Sequence, residues 1–215
     1  MLGKCRLATA RCSVENDDAT RLAGGGLVLH RTDFAAGLLP PGSPHRWQDW
    51  QMVNAQGIEV IAARPETREP LSRMLELYQH DLSDIWDQDL DANGEYGYDL
   101  SRYWSDPGSF PYIFLAAGHL AGFALVDQAV KLPGGEFWMD QFFVMKKYRG
   151  RGLGRQAAHN VFARHRGAWQ VGQMTANKPA QGFWRATIAA FTAGNFVEQR
   201  LTDGWWRGTI QTFKS

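Results

Sequence analysis

The chain has 215 residues, enough for one domain with a substantial core, and its 23 basic and 22 acidic residues leave a formal net charge of +1. This balance argues against the broad basic surface used to bind nucleic acids or membranes. The two cysteines, Cys5 and Cys12, have no histidine or cysteine partners nearby. We therefore expect no metal, no cysteine nucleophile in the core and a reduced, cytoplasmic setting.

The first fifty residues differ in character from the rest. Residues 1–51 contain three consecutive glycines and a Pro-Pro-Gly-Ser-Pro run, with no sustained helical or strand period. We expect a loosely structured N-terminal extension, or a translation start placed upstream of a true start at Met52, followed by a single domain over residues 52–215. Trp47 and Trp50 argue against a free extension, because exposed indoles are costly. No signal segment or bilayer-length apolar run is apparent, so we expect no membrane association.

The next segment predicts a strand, a helix and a hairpin. Residues 58–63 read as a strand, and a helix follows Pro65 with apolar side chains at 3.6-residue spacing, from Leu71 to Ile85. Residues 87–105 are acidic and aromatic without a strong period, and they predict either a wall of a binding site or a solvated surface loop. Residues 112–117 and 120–127 predict antiparallel strands joined by a tight turn at Gly118 and His119.

The second half continues with alternating elements. Residues 136–144 predict a third antiparallel strand, and the helix that follows has an apolar stripe that includes Leu153, Val161 and Phe162. Residues 169–174 predict a strand, residues 178–193 a helix closed by Gly194, and residues 196–201 and 207–213 a terminal hairpin. This order predicts an α/β fold in which a mixed sheet carries helices on both faces.

A basic, glycine-rich turn joins the third strand to its helix. Glycines tolerate φ > 0 and admit a ligand close to the backbone, and N–H groups at a helix start bind anions. Arginines add charge-assisted hydrogen bonds. The turn therefore predicts a pyrophosphate site, with a packing turn as the alternative, and it fits neither the P-loop nor the dinucleotide glycine pattern. Its residues are Arg149, Gly150, Arg151, Gly152, Leu153, Gly154 and Arg155.

This Arg-x-x-Gly-x-Gly turn after an apolar strand resembles that of the GCN5-related N-acetyltransferase (GNAT) family, which binds the pyrophosphate of acetyl-coenzyme A. The segment 177–184, Asn-Lys-Pro-Ala-Gln-Gly-Phe-Trp, and the Gly-Asn-Phe at 194–196 resemble downstream segments of the same family. The likeness runs from about Ile58 to the C-terminus. It implies a central, mostly antiparallel mixed sheet and an N-acetyltransferase that uses acetyl-coenzyme A as cosubstrate, with no metal.

The resemblance also implies where the cofactor lies. In this family the strand before the turn splays from its neighbour, and the pantetheine arm lies along the exposed backbone. Phe142, Phe143 and Val144 would offer that backbone here. Asn177 would bind the cofactor, cap its own helix, or do both.

Candidate catalytic groups follow from the need to deprotonate an amine. Alternate side chains of the third strand face the cleft, so Asp140 or Gln141 lies near the reacting centre. Asp140, the carboxylate of the two, is the candidate general base, although it could instead bind the acceptor or face solvent. His119 is a weaker candidate. Trp184 stands where many relatives have a tyrosine that protonates the thiolate, so either Tyr148 serves as the acid or the thiolate leaves without one.

The acidic and aromatic interval lies where this family lines its acceptor site. Carboxylates attract a protonated amine and aromatic rings hold it by cation–π contact. We therefore predict direct acetyl transfer, without an acetyl-enzyme, to a primary amine of a small molecule. The candidate acceptor-binding residues are Asp84, Asp91, Glu95 and Tyr96, and simple solvation of these side chains is the alternative.

Two other functional classes remain open at this point. Lys146, Arg151 and neighbouring basic residues could bind nucleic acid with Tyr148 stacking on a base, but the near-zero net charge disfavours this. The fold could also bind acyl-coenzyme A without catalysis, as a sensor or a partner-binding domain. We expect no nucleic-acid partner and either a monomer or a homodimer.

Overall fold

Seven strands form one sheet in the computed structural model, which describes residues 57–203 and 207–215. The extension predicted over residues 1–51, and residues 52–56, lie outside the described residues. The strands are β1 Glu59–Ala62, β2 Ser109–Ala116, β3 His119–Asp127, β4 Phe137–Val144, β5 Ala168–Met174, β6 Val197–Leu201 and β7 Gly208–Lys214. The α-helices are α1 Arg68–Trp86, α2 Arg102–Ser105, α3 Leu153–Arg164 and α4 Lys178–Thr192.

The sheet order is β1-β2-β3-β4-β5-β7-β6. Strands β1 to β4 pair antiparallel in sequence order, β4 pairs parallel with β5, and β7 pairs antiparallel with both β5 and β6. The predicted mixed, mostly antiparallel α/β sheet and the terminal hairpin are therefore confirmed. No described helix is long and apolar enough to cross a membrane.

The turn between β2 and β3 differs by one position from its prediction. Ala116 pairs with His119, so the loop consists of Ala117 and Gly118, with φ of 49° and 77°. Positive φ at both loop residues suits a two-residue hairpin, because the turn then follows the twist of the strands. His119 is consequently the first residue of β3, and its side chain is exposed.

Helices cover both faces of the sheet, as predicted. The apolar stripe of α1, including Leu71, Leu75 and Tyr78, packs on Phe123 and Phe143 of one face. Helices α3 and α4 pack on the opposite face, where the core includes Phe142, Phe162, Trp169 and Trp184. The two faces are called here the α1 face and the α3/α4 face.

A β-bulge interrupts β4 at Asp140. Leu125 of β3 pairs with Gln141, whereas the next residue, Val126, pairs with Met139, so Asp140 is the additional residue. A bulge of this kind breaks the alternation of side chains along a strand. Gln141 bonds to Tyr78 and Asp140 to Tyr103, both in the α1-face layer. Strand alternation predicted that either Asp140 or Gln141 faces the site, but both side chains lie on the α1 face.

Strands β4 and β5 separate after a short common stretch. They pair only at Phe137 with Trp169, Trp138 with Gln170 and Met139 with Val171. From Asp140 to Val144, β4 has no partner residue on β5, while β5 continues its pairing with β7 as far as Met174. The splay implied by the family resemblance is therefore present, and it begins at the bulge.

Candidate functional site

The glycine-rich turn has a backbone that favours glycine at two positions. Gly150 and Gly152 have φ of 76° and 73°, in the left-handed region that is costly for other residues. A Cβ at Gly152 would meet no described atom within 4 Å, so conformation and not crowding selects glycine there. At Gly154, in contrast, a Cβ would lie 3.3 Å from the Phe183 ring, so this glycine also serves packing.

Helix α3 begins at this turn with its amide groups directed toward it. The first intrahelical hydrogen bond runs from Gln156 N–H to the Gly152 carbonyl at 3.1 Å. By helix geometry, the N–H groups of residues 153–155 are left for other partners, at the positive end of the helix dipole. This arrangement can hold an anion without any side chain, as the sequence predicts.

Arg149 makes two hydrogen bonds that the sequence did not reveal. Its Nε donates to the Val144 carbonyl at 2.6 Å, and its Nη2 donates to Asp81 Oδ2 at 2.6 Å. The guanidinium is only 13% exposed, and Lys146 Nζ lies 3.1 Å from the other oxygen of Asp81. Arg149 therefore joins α1 to the end of β4, and a phosphate would have to share its guanidinium with Asp81. Its role as a phosphate donor stays a prediction.

Asn177 is the N-cap residue of α4. Its Oδ1 accepts a hydrogen bond from Ala180 N–H at 3.1 Å, which confirms the capping role. The side chain is buried, and its Nδ2 has no hydrogen-bond partner among the described residues. A buried donor without a partner is costly, so this amide is suited to a ligand acceptor.

A cleft of about 440 Å³ brings several predicted residues together. It opens between the C-terminal half of α1, the turn after β4 and the start of α4. Arg149 and Asn177, predicted for the cofactor, line it opposite Asp84, predicted for the acceptor. The remaining lining residues are His80, Asp81, Leu82, Ser83, Ile85, Lys146 and Pro179.

The other acceptor candidates lie outside this cleft lining. Asp91 closes its own turn, with Oδ1 accepting from the N–H groups of Asn93 and Glu95 at 2.8 and 3.0 Å. The Glu95 bond, followed by that of Asn93, lowers the pKa of Asp91. Glu95 is exposed, and the Tyr96 hydroxyl lies 3.2 Å from His80 Nδ1. Acceptor binding by these residues stays a prediction.

Asp140 lies in a buried group of polar side chains, called here the Asp140 cluster. Its side chain is fully buried, and its Oδ2 accepts hydrogen bonds from Tyr98, Tyr103 and Arg102 Nη2, each at 2.7 Å. Arg102 Nη1 forms an ion pair at 2.6 Å with Asp127, which is also buried. The cluster thus consists of Tyr98, Arg102, Tyr103, Asp127 and Asp140, from three separate segments of the chain.

The surroundings of the cluster shift the pKa values of four of its members. Burial, and then the charge of Asp140, raise the pKa values of the Tyr98 and Tyr103 hydroxyls, so both remain hydrogen-bond donors. Burial is the largest single influence on Arg102 and lowers its pKa, but its neighbours, Asp140 first among them, together outweigh burial and raise the Arg102 pKa. Burial, and then the charge of Asp140, raise the pKa of Asp127.

Arg102 and Asp127 were not predicted from the sequence as site residues. Asp127 is the last residue of an apolar strand, and a carboxylate at the end of a buried strand needs a cation or a hydrogen-bond donor as its partner. This requirement could have indicated from the sequence that Asp127 has a partner, but it does not select Arg102 from the other basic residues.

The remaining catalytic candidates lie in or beside the core. Tyr148, in the turn between β4 and α3, is 3% exposed and belongs to the α3/α4-face core. Trp184 is fully buried, with its ring 5.0 Å from that of Phe142 on β4. Tyr148 as general acid stays a prediction.

Comparison with known proteins identifies the family. The model of the "Acetyltransferase (GNAT) family" matches residues 71–187, more than half of the chain. Among solved structures, an acetyltransferase from Thermus thermophilus is 17% identical, with a TM-score of 0.58 over 74% of this chain and 97% of that one. Aminoglycoside acetyltransferase AAC(6')-Ib in complex with coenzyme A is 15% identical, with a TM-score of 0.54 over 74% and 95%.

Spermidine N-acetyltransferase from Vibrio cholerae, in complex with coenzyme A and spermine, is 10% identical, with a TM-score of 0.51 over 74% of this chain and 94% of that one. These likenesses are at the level of the fold. A search of curated proteins gave no match. The family match and the fold together show that this chain belongs to the acetyltransferase (GNAT) family and is an N-acetyltransferase by class.

Proposed function

We propose that the protein transfers an acetyl group from acetyl-coenzyme A directly to a primary amine of a small molecule. The observation that carries this proposal is the cleft of about 440 Å³, in which the predicted cofactor residues Arg149 and Asn177 face the predicted acceptor residue Asp84. Its lining includes Lys146 and Arg149, which follow the splayed part of β4, where strand backbone has no partner on β5. A cofactor along β4 and an amine from the α1 side would meet there.

The residues at the turn fit the phosphates of coenzyme A. Gly150 and Gly152 hold the left-handed backbone of the turn, and the start of α3 presents amide groups to it. The buried Asn177 Nδ2 is a donor without a described partner at the same cleft, which suits an oxygen of the pantetheine arm. Acetyl-coenzyme A supplies the activated thioester, while these residues bind and orient it.

The charges around the cleft favour a cationic acceptor on the α1 side. Lys146 and Arg149 lie on the turn, whereas Asp81 and Asp84 lie on α1. Asp81 is already paired with both basic residues, but Asp84 is exposed. An amine is the acceptor class that this arrangement attracts. Two of the similar structures are named for amine-bearing small molecules, an aminoglycoside and spermidine, which supports the same class.

Asp140 remains our candidate for the group that finally receives the amine proton, with Tyr148 as the candidate acid for the leaving sulfur. Asp140 lies at the bulge where β4 leaves β5, so it is next to the splay on which the thioester would lie. Its side chain is fully buried, so it does not meet the amine directly. Transfer without an acetyl-enzyme predicts sequential kinetics.

Turnover against a panel of amines tests this function. The panel includes polyamines, aminoglycosides and simple diamines, with coenzyme A release measured as free thiol and acetyl-coenzyme A binding measured by calorimetry. We expect thiol release that depends on both enzyme and amine. Binding of acetyl-coenzyme A without turnover on any amine would favour a non-catalytic acyl-coenzyme A sensor instead.

We also propose that residues 52–215 are sufficient for this activity. The family match lies within residues 71–187 and the described sheet begins at Glu59, which supports a boundary near Met52. A protein beginning at Met52 should retain acetyl-coenzyme A affinity and turnover equal to those of the full chain. Loss of either would show that residues 1–51 contribute to the domain.

A further inference from the structure

The Asp140 cluster stands at the point where the sheet opens. Asp140 is the first residue of β4 beyond the last pair with β5, which joins Met139 to Val171. The Tyr98 hydroxyl donates to Asp140 Oδ2 at 2.7 Å and lies 3.5 Å from Gln141 Nε2. The hydroxyl of Tyr98 therefore lies against the first two residues of the splayed segment.

Accessibility distinguishes the three donors to Asp140 Oδ2. Asp140 is fully buried and Tyr103 is buried, whereas Tyr98 and Arg102 retain exposed surface. A guanidinium cannot accept a proton at any pH relevant here. A phenol can accept one on its oxygen while it donates its own. Of the three, Tyr98 is thus the group suited to pass a proton from a bound amine to Asp140.

The charges around Asp140 include a second carboxylate. Three donors converge on Asp140 Oδ2, and Asp127 adds a second negative charge on the other side of Arg102. The two carboxylates and one guanidinium leave the buried cluster with an excess negative charge, which a proton on Asp140 would cancel.

The elements packed around this cluster add one further charge. The loop after β3 carries Lys131, whose pKa is lowered by burial despite the attraction of Asp127. Helix α1 contributes Tyr78, and β4 contributes Gln141, the residue after Asp140. Both are uncharged, and the Tyr78 hydroxyl donates to Gln141 Oε1 at 2.7 Å. Helix α2 contributes Arg102 and Tyr103 themselves.

We propose that Tyr98 is a catalytic residue that relays the proton of the acceptor's ammonium group to Asp140, an inference that rests on the proposed function. The N–H bond breaks, its proton bonds to the Tyr98 oxygen, and the original Tyr98 proton moves to Asp140 Oδ2. The electron pair left on nitrogen attacks the thioester carbon, the carbon–sulfur bond breaks, and the departing coenzyme A sulfur takes the second proton that the new amide nitrogen gives up. Tyr98 ends neutral and Asp140 ends as a carboxylic acid, which returns the proton to water along the same path after the product leaves.

Two matched substitutions test the relay. Tyr98→Phe and Tyr103→Phe each remove one hydroxyl that bonds to Asp140 Oδ2, but Tyr98 is a partly exposed residue whereas Tyr103 is a buried one. With the best acceptor of the amine panel, Tyr98→Phe should lower kcat by about 100-fold or more, the usual contribution of general acid–base catalysis. Tyr103→Phe removes an equivalent hydrogen bond to Asp140 without removing the proposed relay group, so it should lower kcat by clearly less than Tyr98→Phe does. Both variants should keep the KM for acetyl-coenzyme A.

The pH profile separates a relay from a structural role. Without the relay only amine already neutral in solution reacts, so kcat/KM of Tyr98→Phe should rise with pH up to the ionisation of the amine itself. Asp140→Asn keeps the shape of the side chain but cannot take the proton, so its kcat/KM should show the same pH dependence as that of Tyr98→Phe. This variant replaces Tyr98→Phe in the test if Tyr98→Phe does not fold.

Equal rates and equal profiles for Tyr98→Phe and Tyr103→Phe, or a wild-type profile for Asp140→Asn, would overturn the relay while leaving the acetyltransferase function intact. Absence of turnover by the wild-type protein on every amine would overturn both.

Discussion

Loss of the Arg102 side chain should strongly reduce the stability of the fold. Its two terminal nitrogens lie 2.6 Å from Asp127 and 2.7 Å from Asp140, and both carboxylates are buried. Arg102→Met keeps much of the aliphatic length but leaves two carboxylates without their shared cation. Removal of one partner from a buried ion pair typically costs about 3–5 kcal/mol. We expect Arg102→Met to lie in that range, since two carboxylates lose one partner.

Urea unfolding followed by circular dichroism measures this loss. The control is Arg73→Met, because the Arg73–Glu69 pair on α1 has side chains that are 78% and 73% exposed. An exposed pair of this kind is worth about 0.5 kcal/mol or less. A loss for Arg102→Met within about 1 kcal/mol of that control would refute the view that Arg102 compensates both carboxylates.

The same variant should show a characteristic dependence on pH. Burial and the Asp140 charge raise the pKa of Asp127, while Arg102 lowers it, so removing Arg102 raises it further. A carboxyl whose pKa is higher in the folded state binds more protons when folded, and its contribution to stability is lost as pH rises through the folded pKa. The destabilisation should therefore be larger at about pH 7.5 than at about pH 5. An equal loss at both pH values would contradict this.

Three further predictions address the cleft and the sheet. Asn177→Ser keeps an N-cap oxygen but removes Nδ2, so stability should change by less than about 1 kcal/mol while calorimetry shows weaker acetyl-coenzyme A binding; unchanged affinity would exclude the amide contact. Arg149→Ala should weaken acetyl-coenzyme A binding about ten- to a hundredfold. Asp81→Asn should weaken it less, because this variant keeps the Arg149 guanidinium. Equal losses of affinity would show that Arg149 only connects α1 to the end of β4. Gly122→Ala should cost about 3 kcal/mol or more, since its Cβ would lie 2.0 Å from the Phe143 carbonyl oxygen. Gly182→Ala, with no described atom within 4 Å, should gain about 0.5–1 kcal/mol, and urea unfolding distinguishes the two.

Local patterns were sufficient to predict most of the fold. The apolar period of α1, the glycine turn before α3 and the Asn177 cap each depend on residues within one or two turns of the chain. The one-position error at the β2–β3 turn has a local cause as well. Ala117 adopts positive φ, which the sequence gives no reason to expect for an alanine.

The chemistry at β4 depended on contacts between distant segments. The bulge at Asp140 arises from the register between β3 and β4, and strict alternation along one strand cannot reveal it. Arg102 meets Asp140 across 38 positions, and Arg149 meets Asp81 across 68. These pairings arise from the folded sheet, so sequence spacing identified Asp140 and Arg149 but not their partners.

Product analysis by mass spectrometry tests direct acetyl transfer to a small-molecule amine. The wild-type protein is incubated with acetyl-coenzyme A and the amine panel, with enzyme, acetyl-coenzyme A or amine omitted in turn. We predict an acetylated small-molecule amine that forms only in the complete mixture, with no acetyl group retained on the protein. Acetyl-coenzyme A binding with no acetylated amine in any mixture would contradict the proposed function.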